Sequence, residues 1–220
     1  MAIDDKWKII GHAPHYQWEA TAENLELSYK RGTSRTAPTI SGVIDGFFVG
    51  VTCTDDRKDA KSKPVTLYKV RYQPLGPPIQ IARETAMYKV GVLRRVLNTN
   101  DVQIDDRDFD KLALIDAETP EIAAAFLTEQ RRRVITELLG TRGIRDAVVT
   151  EREMGFHTRK VELSIKRLVG NILGMVEFAR IMSVDGKLTP SGTLEALSEL
   201  KSYFAENAEH GEPEIQDAVR

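Results

Sequence analysis

The dipeptide Asp45-Gly46 lies between two runs of β-branched and aromatic residues, with Ile40, Val43 and Ile44 before it and Phe47, Phe48, Val49 and Val51 after it. A two-residue type I′ turn requires positive φ at both central positions, which Asp and Gly tolerate, so residues 38–53 are expected to form a β-hairpin. Gly42 and Gly50 interrupt the two arms, where a bulge or a close backbone approach is expected.

The charged stretch 55–64, DDRKDAKSKP, reads as a loop leading to two further strands at 65–72 and 78–84, joined by the rigid PLGPP turn. With the hairpin they predict a four-stranded antiparallel meander, one face packed and one partly wet. Ahead of the hairpin, Trp18, Ala22, Leu25 and Tyr29 recur at helical spacing, which predicts an amphipathic helix from His15 to about Tyr29. The segment 87–104 carries both helical spacing and a weakening Gly91, and a strand is expected at Phe109 to Ile115.

The second half reads as more helical. Thr119-Pro120-Glu121 has a capping hydroxyl followed by a proline whose missing N–H costs nothing at the first helical position. Thr128-Glu129 opens another helix, closed by Gly140. Residues 144–157 predict a second hairpin, and Val161 to Val184 the longest helix, with Val161, Ile165, Leu168, Ile172, Val176 and Ala179 on one stripe. The expected organisation is an N-terminal arm (1–14), an α+β domain (15–184), a helical extension (185–205) and a disordered polar tail (206–220). The fold class expected is α+β, an antiparallel β-sheet packed against helices with a C-terminal helical extension.

Composition narrows the function classes. A 220-residue chain with 41% hydrophobic residues can fill a core without staples. Its 31 Lys and Arg against 33 Asp and Glu give a net charge of −2, which supplies no overall basicity for nucleic acid or an anionic membrane. One cysteine, Cys53, rules out an intrachain disulfide and a multi-cysteine zinc site, and fits a reducing compartment. The opening residues lack a basic-then-apolar signal pattern, and no apolar run approaches the ~20 residues of a membrane helix, so the cytoplasm is the expected location.

Trp18, Ala22, Leu25 and Leu27, then Pro38, Ile40, Gly42, Asp45, Gly46, Val49 and Val51, then Phe109, Asp110, Pro120 and Leu127-Thr128 form a spaced pattern. Over residues 15–182 it resembles a soluble α+β domain found in several groups of uncharacterised bacterial proteins. The resemblance implies a fold and, since its motif positions are packing and turn positions, implies no catalytic residues. Some of those proteins carry membrane helices ahead of the domain, a feature not seen in this sequence.

The chemistry-bearing residues do not assemble into a motif. Asp106, Asp108 and Asp110 alternate as in a calcium loop, with Asp105 beside them, but Lys111 and Ala117 replace the required Gly and Glu, so a charged turn is expected. Asp185-Gly186-Lys187 reads as a helix break. His12 and His15 lie three apart across Pro14 without an HExxH or cysteine partner, and His157 and His210 stand alone, so no metal site is assigned. Cys53 reads as an apolar filler of a buried strand. Ser41, Ser164 and Ser191 lack a GxSxG setting, and no phosphate-binding glycine loop is present. Lys30, Arg31 and Arg35 read as a solvated connector. Arg94 and Arg95 with Arg131, Arg132 and Arg133 are the densest basic groups, and because successive helical residues point about 100° apart, a solvated role is expected over a nucleic-acid grip.

The sequence therefore points to a non-catalytic protein-interaction or scaffold module, with no catalytic, cofactor-binding or metal residues and no cofactor assigned. Its partner would be another protein or a second copy, met through the sheet edge or the 161–184 helix. The alternatives are a small-ligand-binding domain, favoured by a closed apolar pocket, and an uncharacterised hydrolase, favoured if His12, His15 or His157 meets Cys53 or the Asp105 to Asp110 carboxylates.

Overall fold

The Asp45-Gly46 turn forms as expected: both residues have positive φ, 51° and 83°, and they join β2 (Thr39–Ile44) to β3 (Phe47–Asp55) in register, Ile44 opposite Phe47 and Val43 opposite Phe48. The computed structural model describes residues 15–33, 36–55, 64–83, 102–141 and 143–183. The expected arm (1–14), the 87–101 segment, the helical extension (185–205) and the tail (206–220) lie outside the described residues.

The described residues form an α+β fold. In chain order they make α1 (His15–Asn24), β1 (Ser28–Lys30), β2, β3, β4 (Pro64–Arg71), β5 (Ile79–Arg83), α2 (Arg107–Asp110), β6 (Ala113–Ala117), α3 (Pro120–Phe126), α4 (Glu129–Gly140), β7 (Arg145–Thr150), β8 (Glu153–His157) and α5 (Ile165–Ser183). The strands build one eight-stranded sheet, order β1-β2-β3-β4-β8-β7-β5-β6, antiparallel throughout. Because side chains alternate along a strand, one sheet face collects rows such as Ile40, Val51, Tyr68 and Phe156. All four are buried, and the Tyr68 and Phe156 rings stack 4.9 Å apart. Helices α1 and α5 lie with this half of the sheet, α4 bridges α5 to β7, and α3 meets β6. One hydrophobic cluster runs from Trp18 to Met182.

Three boundaries differ from the sequence expectation, and a fourth difference is one of strand order. The first helix stops at Asn24 because Glu26 adopts φ 54°, and the Leu27 and Glu26 N–H groups donate back to the carbonyls of Ala22 and Glu23. That is a Schellman closure, and it releases Tyr29 into β1. Asp106 caps a helical turn over Arg107–Asp110, accepting from the Phe109 N–H, which delays β6 to Ala113. The long helix starts at Ile165 because residues 158–164 are held outside it by hydrogen bonds. There Thr66 Oγ1 accepts from the Glu162 N–H at 2.8 Å, Trp18 Nε1 donates to the Glu162 carbonyl, and Ser164 Oγ accepts from the Arg167 N–H. The Thr119 and Thr128 caps and the Gly140 end are as expected.

The fourth difference changes the topology. β5 does not neighbour β4; the β7–β8 hairpin inserts between them, so the expected four-stranded meander is replaced by β1 to β4 followed by β8, β7, β5 and β6. The proline-rich crossing wraps the tip of that hairpin. The Tyr72 N–H donates to the Arg152 carbonyl and the Leu75 N–H to that of Glu151, while the Tyr72 hydroxyl donates to the Thr150 carbonyl at 2.8 Å. Glu151, itself buried, accepts from the Ile79 N–H and pairs with Arg152 at 2.6 Å. Burial raises the pKa of its carboxyl, but those donors outweigh it and hold it below its ordinary value.

Candidate interaction surface

On the face of the sheet away from α1 and α5, the register aligns Val43 of β2, Phe48 of β3, Arg71 of β4 and Glu153 of β8 in one row. Val43 is 63% exposed and Phe48 45%, so two adjacent apolar side chains face solvent. The Arg71 guanidinium lies 5.9 Å over the Phe48 ring, within reach of a cation–π attraction. Arg71 Nε and, one row along, Lys69 Nζ share the Glu153 carboxylate at 3.2 and 3.3 Å. Two cations on one anion leave one positive charge beside the aromatic. Lys69 itself lies between Gly50 of β3 and Gly155 of β8, and a Cβ on Gly155 would come within 3.3 Å of the lysine stem. The glycines therefore keep this part of the face low.

The candidate residues of the sequence are placed elsewhere. Cys53 is buried on the packed face opposite Thr66, and burial pushes its thiol up to about 12, which keeps it protonated and unsuited to nucleophilic attack. His15 is hydrogen-bonded to the Tyr29 hydroxyl, and His157 faces Asp146, Nδ1 to Oδ2 4.0 Å, at a bulge of β7. Asp106 spends one oxygen on the α2 cap and the other on Arg132 at 3.2 Å. Asp110 accepts from the Ile104 N–H. These bonds hold Asp106 and Asp110 as parts of a turn. Asp105, Asp110, Gln103, Arg107 and Lys111 line an open depression of about 470 Å³. Ser164 caps α5, and Ser41 lies opposite Gly50. Among the described residues no group of three or more His, Cys, Asp or Glu is gathered as a metal site, and no helix is long and apolar enough to cross a membrane. His12, Arg35, Arg94, Arg95, Asp185, Ser191 and His210 lie outside the described residues.

Two expectations are corrected. The arginine run is not a solvated face, because Arg131 is only 8% exposed. Its Nε and Nη2 donate to the Met182 carbonyl and its Nη1 to that of Phe126, with the guanidinium 4.8 Å over the Phe126 ring. The side chain clamps the C-terminal ends of α5 and α3, where helix carbonyls lack donors of their own, and Gln130 does the same for Ile181 at 2.9 Å. Arg132 donates to the Leu127 carbonyl, and Arg133 pairs with Glu129. The long helix, for its part, is not an open docking face. Leu168, Ile172, Met175, Phe178, Ala179, Ile181 and Met182 of α5 are all buried within the chain itself.

The exposed row was missed because Val43 and Phe48 were read only as strand residues flanking the turn, without assignment to the packed or the wet face. Its signal was present in part, since a two-residue turn at Asp45-Gly46 already sets Val43 against Phe48. No protein-family profile, no curated protein and no solved structure matches the chain.

Proposed function

We propose that the chain is a non-catalytic protein-interaction module that docks through the outer face of the β2–β3 hairpin. The observation that carries this is the pairing of Val43 and Phe48 as exposed cross-strand neighbours with Arg71 over the ring. Single exposed apolar residues are ordinary on a protein surface, but contiguous ones mark contact sites. Aromatic and arginine side chains are the types enriched at interfaces and among their energetic anchors. The sheet beneath is fixed by its packed face, so the anchors are held in place before a partner arrives and little ordering entropy is lost on docking. A lone, buried Cys53 fits work in the reducing cytoplasm.

The test is a photoreactive amino acid placed at position 48 in the full chain, with position 118, exposed and remote in sequence from the hairpin, as control. Illumination in cells producing the protein is expected to give a discrete polypeptide adduct from position 48, absent from position 118 and abolished by Val43→Lys. Equal labelling from the two positions, or none from either, refutes the interaction surface.

A further inference from the structure

We infer that the partner of this face presents an acidic protein segment, with a side-chain carboxylate seated on the Nη groups of Arg71 and a neighbouring apolar side chain on Val43 and Phe48. The inference rests on the interaction surface proposed above and adds the partner's chemistry. Arg71 is fixed through one nitrogen only. Its Nε holds Glu153 at 3.2 Å, its side chain is 62% exposed, and among the described residues no acceptor meets either Nη. Those two groups form a planar fork that matches the two oxygens of a carboxylate, and such charge-assisted, paired bonds are stronger than neutral ones. Lys69 also donates to Glu153, so one carboxylate serves two cations and leaves the fork for a second anion.

The apolar part of the site adjoins the fork. A Cβ on Gly50 would stand 3.8 Å from Cε1 of Phe48, so the ring leans over the glycine, with the Arg71 guanidinium 5.9 Å from its centroid. The face is also opposite in sign to the chain. Outward positions of β1 to β4 and β8 carry Lys30, Lys69 and Arg71 against Glu153 alone, and Lys30 faces outward because Tyr29 beside it turns in to His15. On β7 the exposed Arg145 is offset by Asp146, which faces His157, and Asp45 belongs to the turn beyond the last strand pair. The whole chain carries −2, so an acidic partner is drawn to this face and repelled by the rest. A single-stranded nucleic acid is anionic too, but it is gripped by successive aromatic faces, and among the described strand residues Phe48 alone is an exposed aromatic.

Fluorescence anisotropy with the full chain tests this. The probe is a labelled peptide of leucine flanked by glutamates, compared with its glutamine counterpart and with a single-stranded oligothymidylate. The acidic peptide is expected to bind at low salt, about tenfold or more tighter than the glutamine peptide, and to weaken as salt is added. Phe48→Ser and Arg71→Gln are each expected to raise its dissociation constant about tenfold. Arg71→Lys, which keeps the charge and loses the fork, should recover only part of that. Lys160→Gln, which removes an exposed cation between β8 and α5, should change it less than about twofold. A circular dichroism spectrum matching the parent certifies each variant's fold. No binding of the acidic peptide, equal binding of the glutamine peptide, tighter binding of the oligothymidylate, indifference to Arg71→Gln, or Arg71→Lys as tight as the parent overturns the acidic partner. If one of these is found while position 48 still photolabels a discrete polypeptide, the interaction surface stands and the acidic partner is the part that falls. If the photolabelling fails as well, both fall.

Discussion

Replacing Arg131 by alanine is expected to cost far more than replacing Arg133, two residues along the same helix. Arg131 supplies the donors for the carbonyls of Met182 and Phe126, at 3.1 to 3.3 Å, and stacks over Phe126. In the alanine variant both carbonyls lose these donors in a buried setting, at about 1–3 kcal/mol each. The lost cation–π contact adds about 0.5–2 kcal/mol, and partial solvation through the space vacated offsets some of the total. The net expectation is a loss of about 3–5 kcal/mol, a large share of the ~5–15 kcal/mol that holds a domain together. For a chain of this length that is a fall in Tm of roughly 6–20 °C. Arg133 is about half exposed and, among the described residues, pairs with Glu129 on its own helix, so Arg133→Ala should cost about 0.5 kcal/mol or less. Arg131→Met, which keeps an apolar stem but no donor, should fall between the two. Urea unfolding followed by circular dichroism measures all three, with the midpoint moving at constant m-value if the folded state is retained. A loss for Arg131→Ala of less than about 1 kcal/mol, or one equal to that of Arg133→Ala, would refute the clamp and return this arginine to the solvent.

The two threonine caps should each be worth about 1 kcal/mol, so Thr119→Ala and Thr128→Ala are expected to lower the urea midpoint by similar amounts and additively, as their targets are separate N–H groups on different helices. Gly46 has φ 83° and nothing near its missing Cβ, so Gly46→Ala should cost about 1 kcal/mol through backbone strain alone and leave the spectrum unchanged; a neutral result would mean the turn is not held as type I′. Burial raises the Cys53 thiol from 9.0 to about 12. The unfolded chain therefore loses its proton first, and stability is intact below pH 9 and falls between pH 9 and 12. Cys53→Ala should flatten the start of that decline, before the raised Tyr68 and Tyr72 hydroxyls add their own share. A native thiol that reacts with a soluble disulfide reagent as fast as the unfolded one would contradict its burial.

Elements whose cause is local were legible before any coordinates. Asp45-Gly46 carries its turn type in its own φ preferences, Thr119-Pro120 and Thr128-Glu129 carry their caps, and the alternation in 65–72 sets Tyr68 and Val70 on one face, opposite Leu67 and Lys69, without reference to anything distant. The α+β class followed from those pieces. The candidate surface was half legible, because the turn fixes Val43 against Phe48, whereas Glu153 is 82 residues from Arg71 in sequence and no periodicity joins them.

Where the cause is a contact between remote segments, the sequence was silent or misleading. A run of three arginines has the same helical spacing whether it faces water or a helix end, and only the docking of α4 against α5 brings the Met182 carbonyl to Arg131. Strand order is of the same kind. Residues 65–72 and 78–84 look like consecutive partners because chain proximity favours short connections, yet the hydrogen bonds of Tyr72 and Leu75 go to the tip of the β7–β8 hairpin. That hairpin then takes the place beside β4. Local backbone preferences and apolar periodicity determined which residues became strands and helices. Which strands became neighbours, and which apolar side chains were left facing water, was decided by packing across the sheet, where the free energy depends on surfaces that only the folded chain brings together.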